Sequence, residues 1–293
     1  LLSRVTNSGH RAKPLATRDW EPGSSAKYSW APFVEVVVVV LEDERQVQFR
    51  LSWSPRSLPE FSSLLSFSHN AASTRWRVSK SSSSFVELLL LATTIAMVLA
   101  RAAGVDVFVT GGIGGVHVGG QDTMDVSADL MELGRTPVAV VCAGAKSILD
   151  IPRTLEVLET NGVTVCAYGV DEFPAFFTRS SGCEAPARVD TPLEAAKVID
   201  AGLRLNLNSG SVFAVPIPLE HEALGASIES ATARALRETE ERGVAGRDVT
   251  PYVLKRVAEL TGGASLKANI ALVMNNAKIG ADIACELARL RSS

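Results

Sequence analysis

The chain has 293 residues, of which 46% are hydrophobic, and this is enough apolar material for one large or two modest buried cores. Its formal net charge of -3 excludes a broad basic surface, so no binding to nucleic acid or to an anionic membrane is expected. The four cysteines are widely spaced and form no CxxC pair, which argues against a zinc cluster and a disulfide framework. We therefore expect a globular protein with a reduced interior and, by default, a cytoplasmic location.

The first quarter of the chain differs in composition from the rest. All four tryptophans precede residue 77, whereas all four cysteines follow residue 140. Serine-rich fragments dominate the early segment, and its one strand candidate covers residues 33–41, FVEVVVVVL. We expect residues 1–75 to be a poorly ordered segment outside the fold and residues 76–293 to form one domain. A divergent surface extension is the alternative for the early segment.

From residue 85 onward, predicted strands alternate with predicted helices. This alternation predicts an α/β fold with a largely parallel sheet and helices on both faces. The first helix, over residues 85–103, contains an apolar run shorter than the roughly 20 residues that a membrane-spanning helix needs, so we interpret it as a buried helix. The predicted strands cover residues 105–110, 137–142, 163–168 and 212–216, and the other predicted helices cover residues 127–133, 147–161, 192–202, 220–242, 250–261 and 265–290.

The glycine-rich segment TGGIGG, residues 110–115, directly follows a predicted strand. In an open parallel sheet, ligands bind beyond the carboxyl ends of the strands, so this segment is expected at a binding site. Its glycines would allow positive backbone dihedrals and a close approach to an anionic group. The GxGxxG pattern of dinucleotide sites is not completed, because His117 stands at the last position, and a nucleotide cofactor is therefore disfavoured.

Lys146 follows the apolar strand PVAVVCAG and opens the next predicted helix. Burial at such a position would lower the pKa of a lysine and free its amine as a nucleophile, although a surface lysine at a helix start is the commoner arrangement. Asp125 and Asp129 are four residues apart, so on a helix they could share one face and bind a hard divalent cation. A helix cap with a solvated carboxylate is the alternative. These residues alone indicate an α/β enzyme that acts on a sugar phosphate.

Several longer segments together resemble one family, the indigoidine synthase A-like proteins or pseudouridine-5'-phosphate glycosidases. The resemblance covers residues 92–290 and includes TGGIGGVH, DVSADL, TPVAVVCAGAKSILDIPRTLEVLETNGV, DEFPAFFTRSSG, VPIPLEH and DVTPYVLKRVAELTGGASLKANIALVMNNAKIGADIA. It implies an α/β/α fold and reversible cleavage of the carbon–carbon glycosidic bond of pseudouridine 5'-phosphate to uracil and ribose 5-phosphate. A divalent metal, usually manganese (Mn2+), and a homotrimer are also implied.

The resemblance also implies roles for individual residues. Lys146 matches the nucleophile of the motif CAGAKS and would form an imine at C1 of the opened ribose, because a carbon leaving group needs an electron sink. Asp125 matches the metal ligand. For Asn276, as for its neighbour Asn275, a place on a helix surface is an equal alternative. The implied substrate contacts are Arg77, Ile95, Ser127, Ala128, Asp129 and Asn276.

The amino-terminal part departs from the family pattern. The family begins with a segment resembling ALESTIIAHGMPYP, whose glutamate is the general acid for uracil, and the 293 residues contain no such segment. Glu42 lacks the Ser-Thr-aliphatic run that follows the family's glutamate, so its role is not transferred. Arg77 replaces a substrate-binding lysine, and Val118 stands where the family has an arginine. Two interpretations remain: an active glycosidase, or a catalytically impaired, truncated paralogue that binds ribose 5-phosphate or associates with intact subunits.

Overall fold

The computed structural model describes residues 38–40, 92–244 and 249–292. In chain order the elements are β1 (Val38–Val40), α1 (Ala92–Ala102), β2 (Val107–Val109), β3 (Val116–His117), α2 (Gly120–Thr123), α3 (Ala128–Leu133), β4 (Ala139–Cys142), β5 (Leu149–Asp150), α4 (Ile151–Thr160), β6 (Thr164–Tyr168), β7 (Ala187–Val189), α5 (Pro192–Arg204), β8 (Ser211–Ala214), α6 (Leu219–Glu241), α7 (Val249–Leu260) and α8 (Ala264–Ser292). The described strands form two sheets: a six-stranded sheet in the order β1-β2-β4-β8-β6-β7 and a small sheet of β3 and β5.

Five strands of the large sheet, from β2 to β7 in spatial order, run parallel to their neighbours, and β1 pairs antiparallel with β2. Strands β2 and β4 are buried along their whole length, as expected for a parallel sheet with both faces covered. The predicted α/β fold with a largely parallel sheet is therefore confirmed. Among the described residues, no helix is both long and apolar enough to cross a membrane.

Side chains that alternate along the strands reach separate apolar cores on the two faces of the sheet. Phe108 packs on one face with α1, α3 and α4, whereas Val107 and Val109 pack on the other with α5 and α8. A third core lies between α6, α7 and α8. Its members include Phe176, Ile217, Ile228, Val253, Leu272 and Val273.

The predicted elements agree with the structure to within a few residues, except around the lysine. The helix predicted over residues 147–161 begins only at Ile151, because Leu149–Asp150 pairs with Val116–His117. The Asp150 side chain then caps this helix by accepting a hydrogen bond of 3.0 Å from the Arg153 amide. The prediction that Lys146 opens a helix is therefore wrong. Strands β3, β5 and β7 and the short helix α2 were not predicted.

Some predictions lie partly outside the described residues. The strand predicted over residues 33–41 is described only at Val38–Val40, and the helix predicted over residues 85–103 is described from Ala92. Apart from β1, the segment 1–75 also lies outside the described part of the chain.

Candidate active site

Two loops meet at the carboxyl ends of β2 and β4. We call residues 110–115 the glycine turn and residues 143–148 the lysine loop. The two strands are parallel neighbours, and their pairing continues past the strands as a parallel bridge between Ile113 and Ala145. The Ile113 amide donates a hydrogen bond of 3.1 Å to the Gly144 carbonyl oxygen, and the Lys146 amide donates one of 3.1 Å to the Ile113 carbonyl oxygen. The sheet thus joins the glycine turn to the lysine loop through backbone hydrogen bonds.

The glycine turn is closely packed against side chains from distant parts of the chain. The glycines do not use the positive dihedrals that they would allow, since none of the four in this described turn has a positive φ. A Cβ atom on Gly114 would lie 2.1 Å from Ser127 Oγ, and one on Gly112 would lie 2.5 Å from Phe176 Cε2. The amides of Ile113 and Gly114 already bind protein acceptors. These glycines therefore allow packing between protein groups, and those two amides are not offered to an anion.

Asp129 connects the glycine turn to two helices. Its side chain accepts hydrogen bonds from the Gly114 amide at 2.8 Å and from the Thr94 hydroxyl, and the residue is only 2% exposed. The hydroxyl of Ser127 caps α3 by accepting a hydrogen bond of 3.3 Å from the Asp129 amide. Asp129 therefore stabilises the local arrangement of α1, α3 and the glycine turn.

Asp125 and Asp129 do not share a helix face, so the helical arrangement predicted for the two aspartates is wrong. An antiparallel bridge between Val116 and Val126 keeps the chain extended at this point, and α3 begins only at Ala128. The Asp125 side chain is 46% exposed, in contrast to the buried Asp129.

The described side chains around Asp125 offer few metal ligands, so they fit only a metal site in which water supplies most of the ligands. Asp125 Oδ2 lies 4.0 Å from His117 Nδ1. Within the described part of the chain, no group of three or more His, Cys, Asp or Glu side chains could hold a metal ion. A hard divalent cation can be held by one or two carboxylates while it keeps several waters. Asp125 therefore fits as the single carboxylate ligand of a largely hydrated cation.

Two neighbouring asparagines of α8 face inward. Asn276 Nδ2 donates to the carbonyl oxygens of Thr110 at 3.0 Å and Gly111 at 3.3 Å, whereas Asn275 Nδ2 donates to that of Pro216 at 3.3 Å. Asn276 is fully buried, so its predicted alternative place on the helix surface is wrong. Buried Asn276 Oδ1 and Thr110 Oγ1 have no hydrogen-bond partner among the described residues. Both atoms are inaccessible to solvent in the structure, and a bound ligand or an ordered water molecule is the usual partner of such buried polar atoms.

The Lys146 side chain is half-buried, and Cys142 lies four residues before it at the end of β4. Burial raises the pKa of the Cys142 thiol to about 12, although hydrogen bonds from the Gly144 and Ile113 amides partly oppose this effect. Because the thiolate is the reactive form of cysteine, Cys142 is not a competing nucleophile near neutral pH. All four cysteines are free.

The remaining predicted residues have different positions. Ile95 is exposed on α1, next to Thr94, and Ala128 is the exposed first residue of α3. The hydrogen bond between Thr94 and Asp129 brings these two helices together. Arg77 lies outside the described residues.

Three residues that shape the site were not predicted from the sequence: Thr94, Thr154 and Phe176. Thr154 Oγ1 accepts a hydrogen bond of 3.0 Å from the Val116 amide, directly after the glycine turn. Phe176 belongs to the motif DEFPAFFTRSSG, which was the one available signal for it. Thr94 had no such signal, because a helical threonine is not distinctive.

A cavity of about 370 Å³ lies beside the lysine loop. Ser147, Asp150, Phe177 and Glu229 are among its lining residues, whereas Lys146, Asp129 and Asn276 are not. Because the cavity is not lined by the predicted nucleophile, we do not assign it to the sugar.

Comparisons with known proteins relate the chain to one family. The family described as indigoidine synthase A like protein matches residues 75–286. The pseudouridine-5'-phosphate glycosidase of Arabidopsis thaliana is 59% identical over 201 residues, which are 68% of this chain and 61% of the relative. The chain thus spans about three fifths of the length of that relative.

Two solved structures have a similar fold. The prealnumycin C-glycosynthase AlnA, in complex with ribulose 5-phosphate, has a TM-score of 0.64 and 36% identity, covering 67% of this chain and 65% of the other. An indigoidine synthase A-like protein from Thermotoga maritima has a TM-score of 0.59 and 39% identity, covering 66% of this chain and 63% of the other.

Proposed function

Because this chain belongs to the indigoidine synthase A-like family, we propose that it is a pseudouridine-5'-phosphate glycosidase acting through Lys146. It would reversibly cleave the carbon–carbon bond of pseudouridine 5'-phosphate to give uracil and ribose 5-phosphate. The main support for the proposal is the backbone hydrogen bonding that joins the glycine turn to the lysine loop. It holds Lys146 at the same edge of the sheet as the buried polar atoms of Asn276 and Thr110. Parallel α/β sheets bind their ligands at this edge.

The chemistry explains why an amine is needed. The unprotonated amine of Lys146 attacks C1 of the ribose, and the ring oxygen leaves and takes up a proton, which gives an open-chain adduct. Uracil C5 is then protonated. The lone pair of the lysine nitrogen forms a C=N bond with ribose C1 as the bond between ribose C1 and uracil C5 breaks. The electron pair of the broken bond returns to the uracil ring. Water then hydrolyses the imine, which releases ribose 5-phosphate and regenerates the amine of Lys146. Covalent catalysis thus divides one difficult bond cleavage into easier steps.

Other residues of the site would hold the sugar and support the loops. Asn276 Oδ1 and Thr110 Oγ1 are buried acceptors without a described partner, and they suit the hydroxyl donors of an open-chain pentose. Asp129 keeps the glycine turn in place through the Gly114 amide. A hydrated divalent cation at Asp125, such as Mn2+, would supply positive charge that orients phosphate or sugar oxygens. The related AlnA structure contains a pentose phosphate, which supports this substrate class.

The alternative is an impaired paralogue that binds ribose 5-phosphate or associates with intact subunits. It would hold if the protein supplied no proton donor to uracil, a role that the family resemblance assigns to a glutamate. Loss of a positioned proton donor slows a reaction by about 100- to 10,000-fold. Formation of an imine from ribose 5-phosphate requires the amine of Lys146, whereas release of uracil also requires the proton donor. The two steps therefore distinguish the alternatives.

The test treats the purified chain with ribose 5-phosphate and borohydride and then locates the reduced adduct by mass spectrometry. We expect an adduct on Lys146 that is lost in Lys146→Arg and kept in Lys197→Arg, an exposed lysine of α5. No adduct on the native chain at millimolar sugar would refute the lysine imine. Uracil release from pseudouridine 5'-phosphate with Mn2+ then separates the glycosidase from the impaired paralogue. Sedimentation would test the homotrimer that we propose by family analogy.

A further inference from the structure

Phe176 has a backbone conformation that is rare for a bulky residue. Its φ is 62°, in the left-handed region. The Phe177 amide donates a hydrogen bond of 2.7 Å to the Ala175 carbonyl oxygen, so Phe176 is the central residue of a three-residue turn. Such a turn with positive φ is strained, and glycine adopts it at lower cost. A phenylalanine at this position indicates that its side chain has a specific task.

The ring of Phe176 lies against the glycine turn. A Cβ atom on Gly112 would be 2.5 Å from Phe176 Cε2 and 2.7 Å from Cδ2, so the ring occupies the space next to this glycine. The residue is only 3% exposed. Its ring also packs edge to face against the ring of Phe177, with 4.6 Å between the centroids. These contacts hold the ring in one orientation.

The backbone of the same segment lies against the lysine loop. The Phe176 amide donates a hydrogen bond of 3.0 Å to the Ala143 carbonyl oxygen, and Ala175 forms an antiparallel bridge with Gly144. A Cβ atom on Gly144 would lie 2.2 Å from the Pro174 carbonyl oxygen. Residues 174–176 thus contact both loops, with the ring on the glycine turn and the backbone on the lysine loop. Lys146 follows Gly144 by two residues.

From these contacts we infer that Phe176 is a positioning residue for Lys146. The ring of Phe176 packs against Gly112 of the glycine turn, and the Phe176 amide donates to the Ala143 carbonyl oxygen of the lysine loop. These two contacts fix the spacing between the loops, and this spacing sets the position at which the lysine amine meets C1 of the sugar. The inference rests on the proposed function, because it needs an imine-forming lysine. It predicts a defect in the rate of the chemical step and little change in sugar binding, since Phe176 acts through the loops.

The experiment measures imine formation with ribose 5-phosphate by borohydride trapping at several sugar concentrations. This gives a limiting rate constant and a half-saturating concentration for each variant. For Phe176→Leu and Phe176→Gly we expect the limiting rate constant to fall on the order of tenfold or more, because small misplacements of reacting groups are costly. The half-saturating concentration should change little. Phe213→Leu is the matched control: it alters an equally buried ring of β8 in a different core, and it should keep the native rate.

A double variant tests the contact between the ring and the glycine directly. In the native chain, the methyl group of Gly112→Ala meets the Phe176 ring, whereas Phe176→Gly removes this collision and leaves the contact of 3.1 Å with the Gly144 carbonyl oxygen. We expect Gly112→Ala to slow imine formation strongly in the native background and much less in the Phe176→Gly background. Circular dichroism confirms folding, and if Phe176→Gly does not fold, Gly112→Ala is combined with Phe176→Leu.

The outcomes separate the two proposals. If the native chain forms no adduct, the proposed function fails, and the inference fails with it. If the native chain forms the adduct but both Phe176 variants react as fast as Phe213→Leu, only the inference is overturned. Additive effects of the Gly112 and Phe176 substitutions on the rate constant would also overturn it.

Discussion

The Lys146 amide donates a hydrogen bond of 3.1 Å to the Ile113 carbonyl oxygen, so the proposed nucleophile is attached to the end of the neighbouring strand. This bond continues the pairing of β2 with β4 beyond the sheet. The position of Lys146 therefore depends on the backbone of two loops and on the side chains packed against them.

Gly144 of the lysine loop should tolerate no side chain. Its φ of 86° is left-handed, and a Cβ would lie 2.2 Å from the Pro174 carbonyl oxygen. The backbone conformation alone costs about 1–2 kcal/mol in Gly144→Ala, and the collision adds to this cost. Gly162→Ala is the control, because Gly162 has a φ of 66° and an added methyl group there would meet no atom within 4 Å. Urea unfolding should show the larger loss for Gly144→Ala, and only this variant should slow imine trapping. Equal losses would contradict the packing argument.

Thr94→Val removes the hydroxyl that donates to the buried Asp129 carboxylate. We expect the free energy of unfolding to fall by about 1–3 kcal/mol, because a buried acceptor loses a donor while the side-chain volume stays nearly constant. The control is Thr232→Val, since the buried Thr232 hydroxyl donates only to the Ile228 carbonyl of its own helix. Chemical denaturation at neutral pH measures both. A Thr94→Val variant as stable as Thr232→Val would show that the bond to Asp129 contributes little.

Asn276→Asp replaces an amide donor with a carboxylate that faces the Thr110 and Gly111 carbonyl oxygens. Because the new charge is buried among acceptors, we expect a loss of about 3 kcal/mol or more in unfolding free energy and weaker binding of ribose 5-phosphate. Asn275→Asp is the matched control on the adjacent, half-buried residue. Calorimetric titration with the sugar phosphate checks binding. Similar binding by the two variants would argue against Asn276 as a substrate contact.

Glu238 should make stability depend on pH in the acidic range. Hydrogen bonds from Arg256, which bonds both carboxylate oxygens, lower the pKa of Glu238 from 4.5 to about 2, and bonds from Tyr252 and Arg234 add to this effect. Since the folded pKa lies below the unfolded value, the stabilisation is complete above about pH 4.5 and is lost as pH falls towards 2.

Urea unfolding at several pH values compares the native chain with Glu238→Gln. We expect the difference in stability between them to shrink as pH falls through this range. Tyr252→Phe, which removes one donor to Glu238, should keep most of the pH dependence. A constant difference between the native chain and Glu238→Gln from pH 7 to pH 3 would exclude the proposed ionic contribution of this glutamate.

The sheet could be predicted from the sequence because its central strands are short apolar runs that alternate with helical patterns. The lysine loop could not be predicted in this way. Residues 147–150 continue the pattern of the following helix, but Leu149–Asp150 pairs with Val116–His117, and a local pattern does not reveal such a distant partner. The bridge between Val116 and Val126 likewise means that α3 begins after Asp125, so Asp125 and Asp129 do not lie on one helix.

In the site, too, sequence motifs point to individual residues but do not reveal the tertiary contacts of those residues. Family motifs predict Lys146 and Asn276 as site residues, and both assignments stay predictions. The reason for the glycines was missed, because the atoms that exclude a Cβ at Gly112 and Gly114 belong to Phe176 and Ser127. The left-handed conformation of Phe176 has no sequence signal, since tertiary contacts impose it on a residue that avoids it.

The contact between Phe176 and Gly112 also defines which parts of this fold can be exchanged between relatives. The glycine turn and the lysine loop lie close together in the sequence, so a chimaera with a single inserted fragment would carry both. The ring that fills the space beside Gly112, and the Pro174 carbonyl that requires a glycine at position 144, would come from the other parent. A transferable unit therefore consists of two separate pieces, residues 107–148 and residues 173–178, and recombination between them would join surfaces that were never selected to fit.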